Sequence, residues 1–246
     1  MEQENIREVS ALKVRVKFAK EGAMKFIGHL DIMRYFQKAI RRADIPIAFS
    51  GGFSPHMIMS FAAPLGVGVT SSGEYFDMEL TEKMPSALME ERLNQTMAEG
   101  MKVLSVREIP DGKASACMSL VAAADYLVSF REGKEPCADW KEKLPDFFQQ
   151  ESIVILRKTK RSEKETDIRP WIYHWELQGE KIFMKLSSGS VHNLKPDLVM
   201  EAFAKYLGVE LSPYACMIHR EEVYADIGTE TNRKLVPLEA LGTMIE

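Results

Sequence analysis

The chain reads KVRVKFAKEGAMKFIGHLDIMRYFQKAIRRADIPIAFSGGFSPHMIMSFAAP from Lys13 to Pro64, and its hydrophobic period changes twice within this stretch. Its first residues, Val14 to Phe18, alternate between apolar and basic side chains, which predicts a half-buried strand. From Leu30 the pattern becomes helical, and Pro46 predicts that the helix ends before it. Residues assigned to the apolar side of this helix are Leu30, Met33, Phe36, Gln37 and Ile40. A second apolar strand, Met57 to Ala63, completes the stretch.

The other side of the predicted helix is strongly basic. It carries Asp31 and the cations Arg34, Lys38, Arg41 and Arg42. Like charges spaced four residues apart destabilise an isolated helix by a few tenths of a kcal/mol per pair, about 0.2–0.5 kcal/mol. A bound anion would remove that repulsion, so the stripe indicates an anionic partner. A solvated helix face is the alternative interpretation.

The loop after the helix, Ser50 to His56, contains two adjacent glycines. Gly51 and Gly52 permit positive φ and a close approach of the backbone to a ligand, and such turns form anion-binding nests. Phe53 is suited to stacking on a base, and His56 to donating to a phosphate or moving a proton. The alternative is an ordinary tight turn with a buried phenylalanine.

Charge is distributed unevenly along the sequence. The chain has 246 residues, 46% of them hydrophobic and 28% charged, which is a globular composition with room for one large or two ordinary domains. Its formal net charge is −4, but residues 11–60 contain nine Lys or Arg against three Asp or Glu, a net +6 that leaves −10 for the remainder. This asymmetry keeps nucleic acid open as a partner despite the acidic total.

Cysteine usage and hydropathy predict the compartment. Cys117, Cys137 and Cys216 are widely separated and form no zinc or iron–sulfur spacing. The polar N-terminus, Met1 to Ser10, lacks the apolar run of a signal peptide, and no apolar stretch approaches the roughly 20 residues of a membrane span. We therefore expect a cytoplasmic protein with no membrane partner.

The order of predicted elements indicates an α+β fold made of two tandem ferredoxin-like domains. A helix from Ser86 to Glu99 and a strand from Met101 to Glu108 complete a β-α-β-β-α-β order in the first half. Turn residues at 111–116 mark the boundary, so the predicted domains are residues 1–116 and 117–246. The second half repeats the scheme with one extra strand, and a mixed-charge surface loop is predicted from Arg157 to Pro170.

Two histidines are candidates for catalysis. His29 and Asp31 lie at the start of the basic helix and His56 lies in the glycine loop, but their spacing does not match a helical metal site, so we predict no metal. Asp31 is better suited to stabilising the helix N-terminus. His29 and His56 remain a possible acid/base pair for cleaving a phosphodiester. The sequence contains no P-loop or dinucleotide fingerprint, and no cofactor is predicted.

Several motifs resemble a bacterial family of uncharacterised proteins called radical-SAM-linked. They are Arg15, Lys17, Lys20, Phe26, Gly28-His29-Leu30-Asp31, Arg34, Arg41-Arg42-Ala43, Pro46, Ser50, Gly52-Phe53-Ser54-Pro55-His56, Ser60-Phe61, Pro64-Leu65-Gly66, Glu74-Tyr75, Asp167-Ile168-Arg169-Pro170, Leu194-Lys195-Pro196 and His219-Arg220-Glu221. The resemblance implies an association with a cobalamin-binding radical SAM protein encoded beside or fused to the family member. This chain lacks cluster-binding cysteines, so it is not expected to be the radical enzyme itself.

These observations lead to three hypotheses. The first is an RNA-binding accessory protein that presents tRNA or rRNA to the radical SAM partner. Its expected RNA contacts are Arg15, Lys17, Arg34, Lys38, Arg41, Arg42, Gly51, Gly52 and Phe53. The second is an enzyme that acts on a phosphodiester or nucleotide through His29 and His56. The third is an adaptor whose basic helix docks on an acidic surface of the partner.

Overall fold

The first half of the chain forms four strands and two helices. The computed structural model of the protein describes residues 12–112, 115–158, 163–229 and 232–246. The elements of the first half are β1 (Leu12–Lys20), α1 (His29–Arg42), β2 (Met59–Phe61), β3 (Thr70–Leu80), α2 (Ser86–Asn94) and β4 (Met101–Glu108). Their strands pair in the order β4-β1-β3-β2, and every pairing is antiparallel. The predicted polar segment Met1 to Ser10 and two boundary residues, Lys113 and Ala114, lie outside the described residues.

The second half contains a similar set of elements with an inserted hairpin. They are α3 (Cys117–Leu120), β5 (Val121–Phe130), α4 (Trp140–Phe148), β6 (Val154–Lys158), β7 (Glu163–Asp167), β8 (Ile172–Gln178), β9 (Lys181–Ser187), α5 (Pro196–Tyr206), β10 (Cys216–Asp226) and β11 (Leu235–Pro237). Four of these strands pair antiparallel in the order β10-β5-β9-β8. β6 and β7 form a separate two-stranded sheet, so part of the loop predicted from Arg157 to Pro170 is a hairpin; residues 159–162 lie outside the description.

The two halves share one sheet. β3 and β10 run parallel and pair through His219 with Thr70 and Arg220 with Ser71. Within the described residues this contact joins the strands into a single nine-stranded mixed sheet. The protein is therefore of the mixed α+β class, with a large sheet that spans both halves.

Helix α1 packs its apolar side on the first half of the sheet. Ile32, Phe36 and Ile40 recur every four residues and are buried in the core. The predicted apolar side was partly wrong, because Leu30 is 67% exposed. Ile32 occupies the buried side, and Leu30 precedes it by two residues, or about 200° around a helix of 3.6 residues per turn.

Strand β1 is buried on both faces, whereas the sequence predicted a half-buried strand. Val14, Val16 and Phe18 are buried in the core with α1, as their alternation predicts. The opposite face is covered by the C-terminal segment, because a single turn of 3-10 helix at Leu238–Leu241 lies over it. The alternation of β1 is thus preserved, but neither face is open to solvent.

Candidate functional site

Helix α1 presents four cations to solvent. Arg34, Lys38, Arg41 and Arg42 are all exposed. Arg34 pairs with Asp31 at 3.3 Å, but both side chains are well exposed, and such surface pairs contribute only about 0–1 kcal/mol. The Arg42 guanidinium donates to the carbonyl oxygen of Thr96 at 3.2 Å, which holds its position near the end of the helix. The protein's own carboxylates therefore neutralise little of the positive charge on this face.

The glycine loop is the tip of a hairpin that protrudes from the sheet. Its base is closed by a bridge between Phe49 and Met57. Ser50 Oγ lies 2.8 Å from His56 Nδ1 and accepts a hydrogen bond from the His56 backbone N–H at 3.1 Å. Gly52 has φ +97°, a conformation that glycine adopts readily. Phe53 is fully exposed, so the interpretation of the loop as a turn around a buried phenylalanine is wrong.

The hairpin and the C-terminal end of α1 lie at the same end of the sheet. The chain leaves α1 through a hydrogen bond from Ile45 N–H to the Ile40 carbonyl and then bridges Leu80 through Ile47. Leu80 pairs with Leu12, so this end is the one at which β1 begins. We define the basic surface as Arg34, Lys38, Arg41 and Arg42 together with the loop from Ser50 to His56. Its cations can donate to phosphate oxygens, and its aromatic ring is suited to stacking on a base.

Arg15, which the sequence predicted as a phosphate contact, is a buried structural residue. It is 1% exposed, and it forms a two-pronged ion pair with Asp77, Nε to Oδ1 at 2.8 Å and Nη2 to Oδ2 at 3.0 Å. The same guanidinium donates to the carbonyl oxygens of Leu238 and Ser115 at 3.0 and 2.7 Å. With its donors used inside the protein, Arg15 does not belong to the basic surface.

Lys17 is also enclosed rather than available to a ligand. Its ammonium group donates to Glu222 at 2.6 Å and to Glu239 at 2.7 Å. Burial opposes the charge on Lys17, but the two carboxylates outweigh this effect and raise its pKa. The prediction that Lys17 contacts phosphate is corrected for this reason.

His29 lies near the middle of β3 and His56 beyond its C-terminal end, which argues against a shared catalytic site. The His29 ring meets Phe61 edge to face with centroids 5.3 Å apart, and Phe61 pairs with Phe76. The hairpin that carries His56 leaves the sheet beside Leu80, four residues farther along β3 or about 13 Å at 3.3 Å per residue. No hydrogen bond or ring contact joins the two histidines in the described part of the chain. The predicted acid/base pair is corrected accordingly.

A large cleft was not anticipated from the sequence. It is an open cleft of about 1140 Å³ between the halves, with Phe26 and Val67 on the first-half side and the segment 208–216 on the other. Asp197 and Glu201, one turn apart on α5, also line it. Burial raises the pKa of both carboxyls, and the charge of Asp197 adds to the effect on Glu201. The lining residues come from segments far apart in the sequence, so no local pattern marks this cleft.

The family of the chain follows from a sequence profile. The profile of the family described as "Uncharacterized protein conserved in bacteria (DUF2344)" matches residues 13–196. The chain belongs to this family. The matched DUF2344 region runs from β1 to the first residue of α5 and so contains the whole basic surface. The predicted membership of a bacterial uncharacterised family is confirmed at this level, and the radical SAM association stays a prediction.

Other comparisons give distant similarity. No curated protein matches the chain significantly. A solved structure described as the crystal structure of a Cbf5-Nop10-Gar1 complex aligns with 11% identity and a TM-score of 0.43. That alignment covers 85% of this chain and 48% of the other, so this chain spans about half of that length. An unknown protein from Galdieria sulphuraria aligns with 10% identity and a TM-score of 0.26, over 87% of this chain and 99% of the other. At these scores neither similarity supports a functional assignment.

None of the helices in the described ranges is long and apolar enough to cross a membrane.

Proposed function

We propose that this protein is an RNA-binding accessory factor that acts through its basic surface. The observation that carries the proposal is the combination of four exposed cations on α1 with a fully exposed aromatic ring at the tip of the adjoining hairpin. Exposed cations suit the phosphate backbone, and an aromatic ring stacks on an unpaired base. Relative to the first expectation, the set of RNA contacts loses Arg15 and Lys17 and keeps Arg34, Lys38, Arg41, Arg42, Gly51, Gly52 and Phe53.

Phe53 favours RNA over an acidic protein surface. Covering a solvent-exposed phenylalanine removes apolar surface from water, and stacking on a base contributes about 1–3 kcal/mol. Gly52, with φ +97°, sits next to it in the chain and lets the loop backbone come close to a ligand. An acidic partner protein would satisfy the cations but gives no comparable role to the ring.

The proposed partner is a cobalamin-binding radical SAM protein, and the proposed substrate is tRNA or rRNA that the partner modifies. This part of the proposal is supported by the resemblance of the motifs to the radical-SAM-linked proteins. Cys117, Cys137 and Cys216 are all free, which suits the reducing cytoplasm that we propose as the location.

We also propose that the two halves, residues 1–116 and 117–246, are tandem ferredoxin-like units. Each half contains a set of four strands, β1 to β4 in the first and β5, β8, β9 and β10 in the second. In each set the first strand lies between the third and the fourth, and the second pairs with the third. This order agrees with the split β-α-β-β-α-β arrangement. The β6–β7 hairpin is then an insertion between the first helix and the second strand of the second unit.

The double variant Arg34→Ala/Lys38→Ala is expected to bind RNA more weakly and with less dependence on salt. Each lost phosphate contact should reduce the slope of log affinity against log salt by about one unit. The measurement is binding of purified protein to bulk tRNA and rRNA fragments over a salt series from roughly 50 to 200 mM.

The matched control for this experiment is Lys134→Ala/Lys143→Ala, which removes the same charge from exposed positions of the second half. It should leave the slope close to that of the unmodified protein. If the slope of log affinity against log salt is the same for all three proteins, the basic surface is not the site of RNA binding. No binding of the unmodified protein at the lowest salt would favour the adaptor hypothesis instead.

A further inference from the structure

One wall of the large cleft ends in exposed apolar side chains next to the start of α1. A single turn of 3-10 helix at Gly22–Phe26 forms this wall together with the loop before β3, and the Gly68 N–H donates to the Lys25 carbonyl at 2.8 Å. The Phe26 ring is 67% exposed, and the Lys25 ammonium lies 5.2 Å from its centroid. This rim therefore places a cation directly beside an aromatic face.

The opposite wall holds a second ring in an exposed position. Tyr214 is 86% exposed and has φ +59°, a left-handed conformation that is unfavourable for residues other than glycine. Arg131 Nε donates to the Tyr214 carbonyl at 2.9 Å and holds the backbone in this conformation. Backbone strain of this kind is concentrated at ligand-binding and active sites.

The cleft also contains two carboxyl groups. Asp197 and Glu201 project from successive turns of α5, and neither forms an ion pair within the described residues. Both residues are exposed at the surface of the cleft, and partial burial raises the pKa of each carboxyl. Carboxyl oxygens at this position can accept hydrogen bonds from a ligand that carries donors.

We propose that the cleft receives an unpaired nucleobase carrying an exocyclic amine, which stacks on Phe26 or Tyr214 and donates its amine to Asp197 or Glu201. The inference rests on the proposed RNA binding and specifies which part of the RNA the protein recognises. Adenine, cytosine and guanine carry such an amine, whereas uracil does not. Lys25 and Arg131 line the same cleft and supply cations for the flanking phosphates.

The position of the cleft relative to the basic surface supports this assignment. Val67 on the cleft wall lies beside Gly28, the residue that precedes α1. Arg34 and Arg41 then follow along the same helix, about 9 and 20 Å from Gly28 at 1.5 Å per residue. An RNA strand bound along α1 can therefore deliver a base to the cleft.

The test compares two RNA nonamers, one of uridines alone and one with a single central 2-aminopurine, an amine-bearing base whose fluorescence falls when it stacks. For the unmodified protein we expect tighter binding of the second RNA, by about tenfold, and loss of its fluorescence on binding. The double variant Phe26→Ala/Tyr214→Asn should restore the fluorescence, and Asp197→Asn/Glu201→Gln should reduce the preference because a neutral amide accepts a hydrogen bond more weakly than a carboxylate. All four positions are exposed, and asparagine tolerates the left-handed backbone at position 214.

Two controls separate the cleft from RNA binding in general. Glu142→Gln/Asp146→Asn makes the same charge change on α4 outside the cleft and should change nothing. Arg34→Ala/Lys38→Ala should weaken both RNAs equally and keep the preference. If both RNAs bind equally and in a salt-dependent way, and the fluorescence does not fall, the cleft assignment is overturned while the proposed RNA binding stands. If the protein binds neither RNA, both proposals are overturned. If Phe26→Ala loses a protein partner but keeps the RNA preference, the cleft belongs to that partner and not to RNA.

Discussion

Arg220→Met is expected to lower the free energy of unfolding by about 3–5 kcal/mol. Arg220 is 3% exposed, its Nε donates to Glu74 Oε1 at 2.8 Å, and its Nη2 donates to the Ala63 carbonyl at 2.9 Å. Methionine fills much of the volume but leaves the Glu74 carboxylate buried without a partner. The residue also lies where β3 and β10 meet, so the pair stabilises the junction between the two halves.

Urea unfolding of the purified variants measures this effect. Arg34→Met is the matched control, because it breaks an exposed ion pair by the same substitution and should cost less than about 1 kcal/mol. The double variant Arg220→Met/Glu74→Gln should recover part of the loss, since the Glu74 side chain no longer carries a buried charge that has lost its ion-pair partner. If Arg220→Met costs no more than Arg34→Met, the buried pair does not stabilise the junction.

Regular periodic segments allowed much of the fold to be predicted. The strand Met101–Glu108 has the predicted bounds, and the predicted helix from Ser86 ends at Asn94 instead of Glu99. Glu163–Asp167 was assigned to a loop because its sequence, EKETD, contains no apolar residue. It forms a strand because its backbone pairs with β6. The sequence pattern used to predict strands depends on buried apolar side chains, so it does not detect a strand that is held by backbone pairing alone.

Residues of the candidate site could be predicted only where the neighbouring sequence determines whether a side chain is exposed. The cations of α1 are exposed because the opposite side of that helix is apolar, and this contrast is visible within a few turns. Arg15 and Lys17 alternate with apolar residues in the same way, yet the tail around Leu238 and Glu239 covers them from more than 200 positions away. The cleft likewise requires segments from both halves, so its residues carry no common pattern in sequence.

Arg15→Met is expected to cost about 3–5 kcal/mol in unfolding free energy while leaving the salt dependence of RNA binding unchanged. The reason for the loss is that Asp77, which also accepts a hydrogen bond from the Cys117 N–H at 2.7 Å, would remain as a buried charge without its ion-pair partner. The slope should be unaffected because the guanidinium is enclosed and never reaches a phosphate. Urea unfolding measures the first effect, and RNA titration at a temperature where the variant is folded measures the second.

Arg41→Met is expected to give the opposite result to Arg15→Met, in both stability and salt dependence. Arg41 is exposed on α1, so its loss should reduce the salt slope by about one unit and change stability little. Together the two substitutions separate a structural arginine from a ligand-binding one, although both positions belong to the same basic stretch of sequence. A reduced slope in folded Arg15→Met would mean that the C-terminal segment moves away from β1 when RNA binds, because only then can this guanidinium reach a phosphate.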